Sequence, residues 1–100
     1  MVAEYDEQIV GYMIYDLKKQ NIQLLRIAVN PEFLRQGVGT QMIDKLKARL
    51  TPARRHTLRV NVPDDMLGAH LFFKAVGMVA VQVLKSEYVF DYVHPELMEV

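Results

Sequence analysis

Residues Leu25 to Thr40 run LRIAVNPEFLRQGVGT. Leu25, Ile27 and Val29 belong to the end of a strand that begins near Gln23. Asn30-Pro31-Glu32 breaks that strand, because proline lacks an N–H and restricts the residue before it. Gln36-Gly37-Val38-Gly39-Thr40 then leads into a helix, with Val38, Met42, Ile43, Leu46 and Leu50 on one stripe. At a helix start several backbone N–H groups lack an intrahelical partner and point along the axis, where the dipole favours an anion. Glycines let such a backbone approach an oxyanion closely, since no Cβ intervenes. The local chemistry suits a phosphate, although the same two glycines would also shape a tight turn. No Gly-Lys-Ser/Thr follows and the third glycine of a dinucleotide fingerprint is missing, which excludes both of those phosphate loops.

Upstream of this stretch, residues 2–6 predict a short strand and Gln8 to Leu17 a longer one. The longer strand carries apolar residues on both alternations, which predicts that both of its faces are covered. Downstream, Thr51-Pro52 is expected to stop the helix and His56 to Val62 to form a strand ended by Pro63. A second helix is predicted over Met66 to Val76, capped by Asp64 or Asp65 and closed at Gly77. Met78 to Leu84, Tyr88 to Val93 and Glu96 to Val100 read as extended, with a polar turn at Lys85-Ser86-Glu87. The order β-β-β-α-β-α-β-β, without repeats or linkers, predicts one domain over residues 1–100. It is an α/β (α+β sandwich) class, with one mixed sheet and two helices.

Composition narrows the function. The chain has 100 residues, 51% hydrophobic and 24% charged, as expected for a globular domain. Lys plus Arg and Asp plus Glu both count 12, so the net charge is zero. A nucleic-acid partner, which needs surplus positive charge, is therefore not expected. Cysteine is absent, which removes disulfide scaffolds, thiolate metal sites and cysteine nucleophiles. No apolar run approaches a membrane span and the acidic start is unlike a secretory signal, so a cytoplasmic domain is expected, with no membrane partner. His56, His70 and His94 share no ligand spacing and read as surface residues; no metal is expected.

The quoted stretch resembles the acyl-coenzyme-A signature of the GNAT superfamily of N-acetyltransferases, in flavour the ribosomal-protein-alanine N-acetyltransferases. The family motif Gln/Arg-x-x-Gly-x-Gly/Ala follows a strand ending in x-A-V-x-P, and Arg35, Gln36, Gly37 and Gly39 match it; Leu34 departs from it. Leu58 to Met78, LRVNVPDDMLGAHLFFKAVGM, resembles the family's next strand, splayed loop and helix. The resemblance implies a mostly antiparallel sheet with a central parallel, splayed pair, here without the usual N-terminal strand and helices. It implies acetyl-coenzyme A as co-substrate. The diphosphate would be held at Arg35, Gln36, Gly37, Val38, Gly39 and Thr40, and the pantetheine arm by the main chain of Ile27, Ala28 and Val29. The implied activity is transfer of the acetyl group to a primary amine, a protein N-terminus or a small amine.

In the alanine acetyltransferases a glutamate serves as base and a tyrosine as acid. The corresponding positions here are Asn61 and Phe73, and Met66 replaces the asparagine at the helix start. Asn61 cannot take a proton but can orient a water or hold the acceptor. Tyr88 is the candidate substitute acid, with Tyr92 weaker; Glu4 and Glu87 carry no distinguishing context. The alternative is an acyl-coenzyme-A-binding or interaction module that has kept the fold and lost the chemistry. With little chain ahead of Val2 to wall an acceptor site, a homodimer that completes it is a further expectation.

Overall fold

The structure, a computed structural model, describes residues 1–5 and 8–97. Three strands lead: β1 (Val2–Tyr5), β2 (Gln8–Leu17) and β3 (Asn21–Val29). A 3-10 turn at Pro31–Phe33 precedes α1 (Val38–Lys47), β4 (Thr57–Pro63) and α2 (Leu67–Ala75). Then come β5 (Val79–Val83), β6 (Glu87–Val93) and a 3-10 turn at Pro95–Leu97. The six strands form one sheet in the order β1-β2-β3-β4-β6-β5. Only β3 and β4 pair in parallel; the other neighbours are antiparallel. This is the mixed, two-helix sheet that the resemblance implied.

Both helices lie on one face of the sheet. Met42, Ile43 and Leu46 of α1 and Phe73 of α2 share a single core cluster with Ile22, Leu24, Leu58, Val60, Val62 and Phe90. Each fully buried Leu, Ile or Phe in such a core contributes roughly 1.5–3 kcal/mol by leaving water. Along β2 and β3 the opposite face is open among the described residues, with Ile14 50% and Leu25 56% exposed. The expectation that both faces of β2 are covered is therefore corrected. Two bulges interrupt the sheet, one on β2 and one on β3. Ala3 pairs with Gly11 and Glu4 with Ile9, so Val10 has no partner on β1. Ile14 pairs with Arg26 and Tyr15 with Leu24, so Leu25 has none. Within β2 the Val10 bulge flips the alternation, so Val10 and Met13 are both buried although they differ in parity, while Ile9 and Ile14 are exposed.

The helix boundaries also shift. α1 ends at Lys47 rather than at Thr51-Pro52, and Leu50 is buried from the turn beyond it. Neither Asp64 nor Asp65 caps α2; Met66 occupies that position without a side-chain bond. The Asp64 amide instead donates to the Ser86 carbonyl, tying the β4 exit to the β5–β6 turn. At the other end Gly77, with φ +93°, closes α2 as expected. Its N–H bonds the Lys74 carbonyl and the Met78 N–H bonds that of Phe73, the paired bonds of a Schellman stop. Residues 95–97 form a turn rather than the start of a strand; residues 98–100 of that expected strand, like Asp6 of the first, lie outside the described residues.

Candidate functional site

The β3–β4 ladder runs from Asn21↔Thr57 to Leu24↔Val60 and stops there. The halt coincides with the Leu25 bulge, which bends and twists β3 away from its neighbour. Beyond it, β3 stays paired to β2 as far as Val29 and β4 to β6 as far as Pro63. The two central strands therefore diverge while each is held from its outer side. Their facing edges carry alternate N–H and C=O groups without ladder partners, a main-chain lining that a ligand amide can join. A cleft of about 340 Å³ fills this wedge. Leu24, Ile27 and Ala28 line one wall; Asn61, Val62 and Pro63 line the other, with Met66, Ala69 and Phe73 of the second helix region behind.

A second cavity of about 370 Å³ continues from Ile27 and Val29 to the glycine turn, bounded by Arg35, Gly37, Val38, Gly39, Thr40 and Phe72. Here the local sequence sets the geometry. Asn30 accepts from the Glu32 amide at 3.0 Å and its carbonyl accepts from Phe33, which fixes the turn after β3. Arg35 (φ 66°) and Gly37 (φ 80°) are both left-handed, swinging the chain onto the axis of α1. The first helical bond is Gln41 N–H to the Gly37 carbonyl. The amides of Val38, Gly39 and Thr40 donate to no protein group among the described residues. No acidic side chain stands in the first turn to neutralise them. Three free donors, the helix dipole and Arg35 on the lining give this cradle a chemistry suited to an anion.

The glycines have different reasons. A Cβ on Gly37 would meet nothing within 4 Å, so its backbone conformation alone selects glycine. A Cβ on Gly39 would lie 3.1 Å from the Phe72 ring, which borders the cavity. Seven of the sequence-predicted cofactor residues, Ile27, Val29, Arg35, Gly37, Val38, Gly39 and Thr40, border the cradle cavity, and Ala28 borders the wedge. Gln36 borders neither; its side chain reaches back 3.3 Å to the Glu32 carbonyl and braces the loop.

The two sequence-predicted catalytic residues are not brought together. Asn61 lies at the wedge, on the sheet face away from the helices. Its Oδ1 accepts from Gln23 Nε2 at 3.3 Å, and its Nδ2 donates to Glu87 Oε1 at 2.9 Å. Tyr88 is on the helix face and outside the wedge lining, edge-on to His70 with ring centroids 5.0 Å apart. His70, expected at the surface, is only 8% exposed, because its ring contacts the Pro63 carbonyl at 2.8 Å and packs on Phe90. Phe73 is core, as its apolar stripe predicted. Glu87, which sequence reasoning passed over, stands beside Asn61. Its pairing is visible only once β6 is known to run antiparallel to β4 with Pro63 opposite Glu87. No group of three or more His, Cys, Asp or Glu able to hold a metal occurs among the described residues. Nor is any described helix long and apolar enough to cross a membrane.

Comparison with known proteins bears on this arrangement. The family model described as Acetyltransferase (GNAT) family matches residues 1–78. Ard1 from Thermoplasma volcanium superposes with a TM-score of 0.76 at 22% identity, covering 88% of this chain and 65% of that one. The chain thus spans just under two thirds of that relative's length. A GNAT family acetyltransferase from Elizabethkingia anophelis with acetyl-CoA bound gives 0.79 at 13% identity, over 92% and 73% of the two chains. The ribosomal-protein-S18-alanine N-acetyltransferase from Escherichia coli gives 0.64 at 20% identity, over 88% and 62%.

Proposed function

The chain belongs to the GNAT acetyltransferase family, and on that premise we propose that residues 1–100 act as one domain that binds acetyl-coenzyme A and transfers its acetyl group to a primary amine. The observation that carries this reading is the adjacency of two cavities that share Ile27 in their linings: one with free amides at the start of α1 and a main-chain-lined wedge between β3 and β4. The residues present fit the group. Free amides at Val38, Gly39 and Thr40 would take the diphosphate, and the exposed edge of Ile27, Ala28 and Val29 would bond the amides of the pantetheine arm. Bound acetyl-coenzyme A supplies an activated thioester; the chain aligns it and leaves the acceptor to approach from the open face of the sheet. Alignment and backbone donors account for much of the acceleration in such reactions.

In this reading Asn61 orients the acceptor at the mouth of the wedge. Tyr88, the acid expected from sequence, packs on His70 away from the wedge, which favours protonation of the departing thiolate by solvent. Protein N-termini and small amines are the acceptor classes proposed, and the cytoplasm is the proposed location. A homodimer that walls the open acceptor side belongs to the same proposal, with a second copy paired along an edge strand. Sedimentation equilibrium that finds only monomer at high micromolar concentration removes that part alone.

The test of the activity is thiol release from acetyl-coenzyme A with a panel of primary amines and short peptides, run beside calorimetric binding. Saturable binding with thiol release supports the transfer reading. Binding without release across the panel supports the alternative of a binding module, which Asn61 and Phe73 at the family's glutamate and tyrosine positions favour.

A further inference from the structure

Glu87 stands just outside the wedge lining, joined to it through Asn61, and the account above has no use for it. It opens β6 opposite Pro63, the last residue of β4, and so sits diagonally across from Asn61 on the open sheet face. No lysine, arginine or histidine pairs with it among the described residues. Its polar contact is the Asn61 amide at 2.9 Å. That amide has a fixed orientation, because Gln23 donates to its oxygen at 3.3 Å and a carboxylate can only accept from its nitrogen. The chain Gln23–Asn61–Glu87 therefore spans β3, β4 and β6 at the level where the parallel ladder ends. Gln23 precedes Leu24 and Asn61 follows Val60, the last paired residues.

The arrangement leaves defined capacity at the rim. Asn61 has spent one of its two N–H donors, and the Glu87 carboxylate has one bonded acceptor site and several free. An unpaired anion beside a free donor, on the face from which an acceptor approaches, is suited to an alkylammonium ion. The geometry points to Glu87 as the residue that receives the acceptor ammonium and takes its proton, with Asn61 and Gln23 as positioning residues. The inference rests on the acetyl-transfer reading. The ammonium gives one proton to the Glu87 carboxylate and becomes a neutral amine. The nitrogen lone pair then forms the C–N bond as the C–S bond breaks, sulfur keeping its electron pair. Nitrogen loses its second proton to water, the thiolate takes one from water, and Glu87 returns its proton to solvent. Atoms and charge balance with no further reactant.

Two measurements test this. The first is the side-chain amide resonance of Asn61 in the protein without acetyl-coenzyme A, titrated with ethylammonium chloride. The wild type is expected to show a saturable shift, and Glu87→Gln, which keeps the Asn61 bond, none. The second compares kcat/KM for ethylamine, protonated at neutral pH, with that for methoxyamine, which is not. Glu87→Gln is expected to lower the ratio of the two by about 10² or more, the usual scale for a positioned base, and Asn61→Ala to lower it less. An unchanged ratio in Glu87→Gln, or an identical Asn61 titration in both proteins, overturns the role of Glu87 while leaving acetyl transfer intact. Absence of transfer to either amine by a wild type that binds acetyl-coenzyme A overturns both the role and the transfer reading. A Glu87→Asp variant that restores part of the ratio supports the role independently.

Discussion

At Gly37 and Gly39 the same residue type answers two different constraints, and substitution separates them. Gly37→Ala carries no steric penalty, only that of a left-handed backbone. It is expected to cost about 1 kcal/mol of stability in urea unfolding. Gly39 is right-handed, but its Cβ would press on Phe72. Gly39→Ala should displace that ring and weaken ligand binding, with a stability cost near the low end of overpacking, about 1 kcal/mol. Arg35 offers the reverse experiment. Its φ of 66° is strained for arginine, so Arg35→Gly is expected to leave stability within about 1 kcal/mol while lowering affinity for acetyl-coenzyme A and flattening its salt dependence. A variant whose affinity and salt dependence match the wild type would remove Arg35 from the cradle. These residues were legible in sequence because their chemistry is local. Glu87 was not, because its meaning depends on which strand lies opposite.

Among elements, the ends of α2 show where pattern reading works and where it fails. Gly77 makes the Schellman bonds that its position predicts. Gly77→Ala should cost about 1 kcal/mol for the left-handed φ, measured by the urea midpoint. Asp64 and Asp65 match a capping pattern, yet the chain there turns to bond Ser86, and no side-chain cap forms. Asp65→Ala is accordingly expected to change stability by less than about 0.5 kcal/mol; a loss typical of a deleted cap would contradict the placement. Across β4 and β6, Arg59 bonds Asp91 through two nitrogens at 2.8 Å. This hydrogen bond, and then the charge of Asp91, holds the guanidinium above its ordinary pKa. A raised value stabilises fully below the ordinary arginine range and fades only as pH rises through the folded one. The Arg59 contribution should therefore be flat through neutral pH. Asp91→Asn, which weakens a partly exposed pair, is expected to cost about 1 kcal/mol or less.

On the scale of the whole molecule, the strand and helix order followed from periodicity and from Gly and Pro punctuation. The sheet's packed face did not, because the bulge at Val10 breaks the alternation of β2 on which that inference depends. A second bulge, at Leu25 on β3, marks the level at which the wedge opens. If that wedge and the cradle form one continuous site, ligand and fold stability are linked. Acetyl-coenzyme A at about 100 times its Kd should add about 2.7 kcal/mol, a rise in Tm of roughly 10–20 °C for a chain of this size.

The central claim is that the amides in the first turn of α1 hold the diphosphate of a nucleotide thioester. Calorimetric titration of acetyl-coenzyme A into the wild type and into Gly39→Asp measures it most directly, with thermal unfolding to confirm that both are folded. The account predicts saturable single-site heat for the wild type and none for the folded variant, whose carboxylate would stand in the cradle. Equal heats from both proteins, or none from the wild type, would contradict it.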